Sequence, residues 1–309
     1  MKLSQRRDFL KTLLGGTAGV SLSTKLLGQG VSTPITATKV ADNFTMISGA
    51  GSNVLVVHSP DGLLLVNGGR PESSAELLKL VAAQGAGSRI QVMFNTDWRM
   101  DNTGSNDTLG KAGTRIFSHE NTKLWMSTEF HVQWERKTYQ PRAKEALPNQ
   151  TFYTNGKMMF GKEEIQYGHL GQAHTDGDIY IFFPGPNILV TGDVMTVGSY
   201  PVMDWSTGGW IGGLSDASKT LLGLTNAQTK VIPGKGPVQT SADVKAQADM
   251  CAAMRQKFVD MMKKGMSASA MAAAAPTKEF DARWGNPELF MANAYPGLWN
   301  HVRELGGIL

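Results

Sequence analysis

Short apolar runs of strand length alternate with segments of helical periodicity along most of the chain. Runs rich in β-branched and aliphatic residues predict strands over residues 44–47, 53–58, 63–66, 90–94, 115–118, 151–160, 165–169, 179–183 and 188–191. Helical spacing of apolar residues predicts helices over residues 72–84, 106–111, 122–146, 216–224 and 241–264. Turn signals rich in glycine separate the first three strands, which predicts a meander. Strands that alternate with helices in this way predict an α/β fold built in layers.

The composition is that of a globular protein with a sizeable core. The chain has 309 residues, of which 41% are hydrophobic and 18% are charged, and these values exclude a disordered or collagen-like chain. The single cysteine, Cys251, allows neither an internal disulfide nor a zinc site built from thiolates.

The excess positive charge lies at the N-terminus. The net charge is +4, and residues 1–30 hold five of the 30 basic residues and one of the 26 acidic residues. The five basic residues are Lys2, Arg6, Arg7, Lys11 and Lys25. The rest of the chain therefore has 25 residues of each sign and no basic stripe that would displace counterions from phosphates. We expect no nucleic-acid partner.

The N-terminal segment resembles a twin-arginine export signal. Arg6 and Arg7 are followed by Asp8-Phe9-Leu10-Lys11 and by a mildly apolar stretch over residues 12–27 that is too polar for a convincing membrane span. The resemblance implies that residues 1–30 direct export of the folded protein by the twin-arginine translocase. It also implies a periplasmic location and no stable membrane insertion after export.

Several common catalytic motifs are absent from the sequence. The body of the chain contains neither G-x-S-x-G nor S-x-x-K, so no recognisable serine nucleophile is present. Residues 233–236, Pro-Gly-Lys-Gly, lack the upstream glycine and the following Ser or Thr of a phosphate-binding Walker A loop.

Polar residues instead cluster after predicted strands, where an α/β framework exposes side chains at a common edge. The four clusters cover residues 95–106, 171–178, 191–193 and 233–238. Their order and spacing resemble the H-x-H-x-D-H, lone His, T-G-D and P-G-H-G segments of the metallo-β-lactamase superfamily. The resemblance covers residues 36–240 and implies a four-layered αβ/βα sandwich, which residues 241–309 would extend with packed helices.

The residues at the ligand positions depart from the pattern of that family. The resemblance aligns Asp97, Arg99, Asp101 and Asn102 with the four ligands of the H-x-H-x-D-H loop. His174 and Asp193 match their family counterparts, whereas Lys235 replaces the final histidine. Because Arg99 and Lys235 would bring positive charge into the shell of two zinc ions, we expect no cofactor beyond at most one weakly bound metal.

The same substitutions suggest a hypothesis about charge replacement. Without two dications, Asp97, Asp101 and Asp193 would be buried and unpaired, at a penalty on the order of several kcal/mol each. The Arg99 guanidinium and the Lys235 ammonium would replace the metals as counterions. Three alternatives stay open: a structural salt-bridge cluster, a working metal-free pocket, and a single metal held by Asp97, Asp101, His174 and Asp193.

Two functions from different classes follow. The first is a hydrolase acting on a small-molecule ester, lactone, amide or similar bond, in which Arg99 or Lys235 stabilises an oxyanion and His174 or one of the Asp residues activates water. The second is a non-catalytic ligand-binding protein that kept the pocket. Five tryptophans are candidates for the cleft lining, namely Trp98, Trp125, Trp134, Trp205 and Trp210, and core packing is the open alternative for Trp125 and Trp134. Lone histidines such as His119 and His169 are expected to be structural.

Overall fold

The computed structural model describes residues 34–85 and 88–303. The export signal expected within residues 1–30 lies outside this part of the chain, and it stays a prediction. Among the described helices, none combines the length and the apolar character that crossing a membrane requires.

Two large sheets form the centre of the fold. The strands are β1 (Thr36–Ala41), β2 (Phe44–Ser48), β3 (Val54–Ser59), β4 (Gly62–Val66), β5 (Ile90–Phe94), β6 (Arg115–His119), β7 (Phe130–Val132), β8 (Lys137–Tyr139), β9 (Gln150–Phe152), β10 (Asn155–Phe160), β11 (Glu163–His169), β12 (Ile179–Phe183), β13 (Ile188–Gly192) and β14 (Lys230–Pro233). The first sheet has the order β1-β2-β3-β4-β5-β6-β9, and the second has the order β10-β11-β12-β13-β14. Within the part of the chain that the structure describes, strands β7 and β8 pair only with each other.

The inner faces of the two sheets bury a common apolar core. Phe44, Val57 and Phe94 of the first sheet pack in the same cluster as Ile181 and Phe183 of the second. The Phe44 and Phe183 rings meet edge to face at 5.0 Å between centroids. Strands such as Gly62–Val66 are buried along their whole length because helices cover the outer face of the sheet as well.

Helices form the two outer layers. They are α1 (Ser74–Gln84), α2 (Met100–Thr103), α3 (Asn106–Lys111), α4 (Glu120–Ser127), α5 (Ile211–Gly223), α6 (Ser241–Lys263), α7 (Ala268–Ala273), α8 (Asp281–Trp284) and α9 (Glu288–Asn300). On the first sheet, α1 buries Leu77 and Val81. On the second, α5 and α6 pack together with α9 in a cluster that includes Leu214, Met254 and Phe290. The predicted layered α/β fold is confirmed.

A capping box fixes the start of the long helix α6. The Thr240 side chain and the Asp243 carboxylate each satisfy the other residue's backbone N–H at the first turn, which removes two unpaired donors. The helix buries Cys251, so the single thiol lies in the core.

Two predictions made from the sequence are wrong between residues 122 and 160. The predicted helix over residues 122–146 ends early, because α4 stops at Ser127 and a β7–β8 hairpin follows. The hairpin forms because Phe130 and Tyr139 pack edge to face on the Trp98 ring, and this tertiary contact outweighs the weak helical periodicity. The predicted single strand over residues 151–160 is two strands, β9 and β10, which belong to different sheets.

Candidate active site

The loops that follow the strands bring the predicted site residues to one edge of the sandwich. Asp97 follows β5, Asp193 follows β13 and Lys235 follows β14, while His174 lies in the loop between β11 and β12. A cavity of about 440 Å³ opens there, and Arg99, Asp101, His174, Asp193 and Lys235 contribute to its lining. Its remaining wall is mostly apolar and includes Trp134, Met195, Val197, Tyr200, Val202 and Pro237.

Asn102 joins the carboxylates of Asp97 and Asp193. Its side-chain nitrogen donates to Asp97 Oδ1 and Oδ2 at 2.9 and 2.8 Å, and to Asp193 Oδ2 at 3.1 Å. The backbone N–H of Arg99 also donates to Asp97, at 2.8 Å. Burial and the nearby Asp193 charge raise the pKa of Asp97 to about 6. An amide group therefore occupies the place where the charge-replacement hypothesis expects a cation.

His174 lines the cavity and keeps one ring nitrogen without a hydrogen-bond partner among the described residues. Its side chain is buried, with 4% of the residue exposed, and Nδ1 donates to the Val202 carbonyl oxygen at 2.8 Å. Nε2 has no hydrogen-bond partner among the described residues. The Asp178 carboxylate holds the loop by accepting from the backbone N–H groups of His174 and Thr175 at 2.6 and 2.8 Å.

The charges around His174 favour its protonated form. Burial alone would lower the pKa of the imidazole, but the neighbouring carboxylates, with Asp178 contributing most, outweigh burial and raise the pKa. Above that pKa the imidazole is neutral, and Nε2 is then a nitrogen base held in one orientation beside the cavity, because Nδ1 donates to Val202.

Lys235 pairs with Asp101 at the cavity rim. The ammonium lies 2.6 Å from Asp101 Oδ2, and 61% of the lysine side chain is exposed. Desolvation would lower the pKa of Lys235, but the charges of Asp193 and Asp101 outweigh it and raise the pKa. A cation thus lies beside Asp101, but at an exposed rim and not in the buried setting that the charge-replacement hypothesis assumes.

Arg99 does not serve the role predicted for it. Its guanidinium pairs with Glu135 and lies 3.6 Å from Asp204 Oδ2, whereas only its backbone N–H reaches Asp97. The predicted role of the Arg99 guanidinium as a counterion to Asp97 is therefore wrong, because the guanidinium turns toward the β7–β8 hairpin. Sequence reasoning missed Glu135 and Asp204 since neither belongs to a family motif.

A glycine allows the Asp193 carboxylate to approach the β14 loop. A Cβ atom placed on Gly234 would lie 2.0 Å from Asp193 Oδ1, which is closer than any nonbonded contact allows. The Pro-Gly-Lys-Gly segment thus supplies room for a carboxylate rather than a cradle for a phosphate.

Other predicted residues lie elsewhere. The His119 and His169 rings stack on each other, with centroids 3.7 Å apart, and His119 Nε2 contacts the Tyr153 carbonyl oxygen at 3.1 Å. Of the five tryptophans expected in the cleft, Trp134 lines the cavity described above, whereas Trp98 is buried beneath the hairpin.

The donor set does not fit the two-zinc centre that the resemblance implies. The Arg99 guanidinium pairs with Glu135, and Lys235 is an ammonium. Asn102 donates N–H groups to the carboxylates that would bind the ions. Zinc ligands must supply lone pairs, and these three groups present protons. Within the described residues, three potential ligand atoms do lie within 4.8 Å of one another, on Asp97, His174 and Asp193. They are the residues that would hold a single cation, while Asp101 lies outside this group.

Known proteins share this architecture. A metallo-beta-lactamase from Pontibacter korlensis is similar with a TM-score of 0.57 and 16% identity, over 71% of this chain and 99% of that one. The DIM-1 metallo-beta-lactamase has a TM-score of 0.56 and 17% identity, over 71% of this chain and 98% of that one. The inverting sec-alkylsulfatase Pisa1 from Pseudomonas sp. has a TM-score of 0.61 and 14% identity, over 77% of this chain and 45% of that one.

At these identities the structural likeness concerns the fold alone. The sequence itself matches the profile of the metallo-beta-lactamase superfamily over residues 47–233. This range holds the Asp97 to Asn102 loop, His174 and Asp193 together with strands β3 to β14. The chain therefore belongs to the metallo-beta-lactamase superfamily.

Proposed function

We propose that this protein hydrolyses a small-molecule ester, lactone, amide or similar bond without the two zinc ions of its superfamily. The observation that carries the proposal is the unpartnered Nε2 of His174, which is buried beside an apolar-walled cavity while Nδ1 is held by Val202. A nitrogen base fixed in this way is suited to general base catalysis.

The reaction needs only groups of this chain and water. Water adds to the substrate carbonyl carbon while its proton passes to His174 Nε2, which gives a tetrahedral oxyanion. The oxyanion collapses, the bond to the leaving group breaks, and the departing oxygen or nitrogen takes the proton from Nε2. The products are a carboxylic acid and an alcohol or amine, and His174 returns to its starting state. The apolar wall near Val197 and Tyr200 would hold the organic part of the substrate.

Lys235 is the residue we assign to the oxyanion. It remains cationic and lies at the mouth of the same cavity, so its ammonium can donate to the negative oxygen as charge develops. Arg99 is less suited to this role because its guanidinium already contacts two carboxylates.

Export belongs to the same proposal. The paired arginines Arg6 and Arg7 before a weakly apolar segment support delivery through the twin-arginine translocase to the periplasm. The substrate would then be a small molecule available in that compartment.

The experiment is a screen of p-nitrophenyl esters, lactones and amides with protein that has been treated with EDTA and dialysed. A substrate that is turned over should lose about 10²- to 10⁴-fold in kcat with His174→Gln, the range of general acid–base catalysis. Lys235→Met should lose about 10²-fold or more. His131→Gln, on the exposed side of β7, is the matched control and should keep full activity. Unchanged turnover in His174→Gln would reject the mechanism.

A ligand-binding protein without catalysis is the second candidate. The observation in its favour is that Asn102, Asp97 and Asp193 already satisfy one another, as do Lys235 and Asp101. Saturable binding of the same compounds by calorimetry, with no hydrolysis in the screen, would favour this function over the hydrolase.

A further inference from the structure

The β7–β8 hairpin is attached to the body of the protein by side chains. Among residues 34–85 and 88–303, its two strands pair with each other and with neither of the large sheets. The turn between them nevertheless contributes Trp134 to the cavity wall. The hairpin must therefore be held in place by contacts other than a continuous backbone ladder.

Arg99 contacts both the β7–β8 hairpin and the body of the protein. Its guanidinium pairs with Glu135 of the hairpin turn and lies 3.6 Å from Asp204, which precedes the turn at residues 205–207. The guanidinium carbon also lies 4.9 Å from the Trp98 ring centre and 5.3 Å from that of Trp134. One cation thus contacts the Trp98 loop, the hairpin and the Asp204 turn.

The partners of Arg99 are joined to one another as well. Trp134 Nε1 donates to Asp204 Oδ1 at 2.9 Å, and the Tyr139 hydroxyl donates to Glu135 Oε2 at 2.6 Å. Arg99 and Glu135 are each only 17% exposed, and the Asp204 side chain is fully buried. A planar guanidinium is suited to such a place because it donates in several directions and stacks on aromatic rings.

We infer that Arg99 is a positioning residue that fixes the β7–β8 hairpin, so that Trp134 forms one wall of the cavity. The position that carries a metal ligand in the family pattern thus holds a side chain that orders the substrate cavity. The inference concerns the shape of the cavity and goes beyond the proposed hydrolysis, since it holds whether or not a bound molecule is turned over.

Fluorine NMR of protein labelled with 5-fluorotryptophan tests the inference. Trp134→Phe assigns the Trp134 resonance in an otherwise unchanged chain. In Arg99→Met we expect that resonance to shift toward the position of a solvent-exposed indole, while the distant Trp284 and Trp299 resonances stay in place. Arg99→Lys restores one positive charge and should move the Trp134 resonance part of the way back.

Trypsin provides an independent readout at the hairpin, where Arg136 and Lys137 are exposed. Cleavage after these residues should be about tenfold faster in Arg99→Met, which corresponds to 1.4 kcal/mol easier opening. Arg283→Met is the matched control because Arg283 also pairs with an aspartate and stacks on a tryptophan, Trp284. It should leave both hairpin readouts unchanged.

Two outcomes would overturn the inference. One is a folded Arg99→Met variant whose Trp134 resonance and tryptic cleavage match those of the wild type. The other is an equal displacement of all seven tryptophan resonances, which would indicate a general loss of structure. If Arg99→Met does not fold, Glu135→Gln keeps the side-chain shape and removes only the charge. It should show the same Trp134 shift, and the absence of that shift would reject the role of Arg99.

Discussion

The carboxamide nitrogen of Asn102 donates to both carboxylate oxygens of Asp97, at 2.9 and 2.8 Å. The same nitrogen reaches Asp193 at 3.1 Å. A neutral amide thus bridges two carboxylates at the centre of a fold whose family pattern has a histidine at this position. Burial and the Asp193 charge raise the pKa of Asp97 to about 6, although the hydrogen bond from the uncharged amide acts to lower it. Hydrogen bonds from one neutral amide therefore hold the two carboxylates together at this position.

Metal binding should depend on that amide. We expect wild-type protein to contain little stoichiometric zinc by elemental analysis, and its melting temperature to be unchanged by Zn²⁺ or Mn²⁺. Asn102→Asp places a third carboxylate beside Asp97 and Asp193, at a cost of roughly several kcal/mol when no cation is present. Divalent cations should raise the melting temperature of this variant. Asn149→Asp is the control, because the Asn149 amide hydrogen-bonds to the backbone of Thr114 and Ile116, next to β6 and β9. Two tightly held zinc ions in the wild type would contradict the expectation.

Arg99 should be coupled to Glu135 and not to Asp97. Removing one partner of a buried ion pair leaves the other charge uncompensated, so Arg99→Ala should destabilise the protein by roughly 3 to 5 kcal/mol. In a double-mutant cycle by urea unfolding, Arg99→Ala with Glu135→Ala should cost at least about 1 kcal/mol less than the sum of the single changes. The cycle with Asp97→Ala should lack this ion-pair coupling and be additive within about 0.5 kcal/mol, because only the Arg99 backbone reaches that carboxylate. The opposite result would restore the network predicted from the sequence.

Acid should destabilise the protein through the stacked histidines. Burial and the neighbouring His169 lower the pKa of His119 to about 4. An unfolded histidine titrates near 6.5, so between pH 6.5 and pH 4 the unfolded chain binds more protons than the folded one. The contribution to stability is therefore complete above pH 6.5 and is lost as the pH falls toward 4. His119→Gln should reduce the loss in unfolding free energy over this window by roughly 1 to 3 kcal/mol, measured by urea titration. An equal loss in His119→Gln and in the exposed His131→Gln control would show that the stacked pair is not responsible.

Export should depend on the identity of Arg6 and Arg7 and not on their charge. The double change of both residues to lysine keeps two cations but should prevent recognition by a twin-arginine translocase. The expected result is accumulation in the cytoplasm, detected by cell fractionation. Changing Lys2 and Lys11 to arginine serves as the control and should leave delivery intact. Periplasmic delivery of the double lysine variant would mean that the leader has been misidentified.

The sequence by itself determined the architecture and most of the site. The apolar runs predicted strands at 44–47, 90–94 and 179–183, where the structure has β2, β5 and β12. This prediction is possible because a buried strand consists of consecutive hydrophobic residues, which are visible in the sequence itself. The polar clusters after β5, β11 and β13 placed Asp97, His174 and Asp193 at one edge, where the structure has them, since the ends of strands in layered α/β folds converge there.

Only the tertiary structure decided what each charged side chain contacts. Arg99 lies two residues from Asp97, yet its guanidinium pairs with Glu135, which is 36 residues away in the chain. That choice depends on a hairpin in a segment whose periodicity predicts a helix, and the hairpin is stabilised by the Trp98 ring. Long polar side chains reach several ångströms from the backbone, and their partners are set by packing between distant elements. Sequence spacing therefore placed the residues of this site, whereas three-dimensional packing assigned Asn102, Arg99 and Trp134 their contacts.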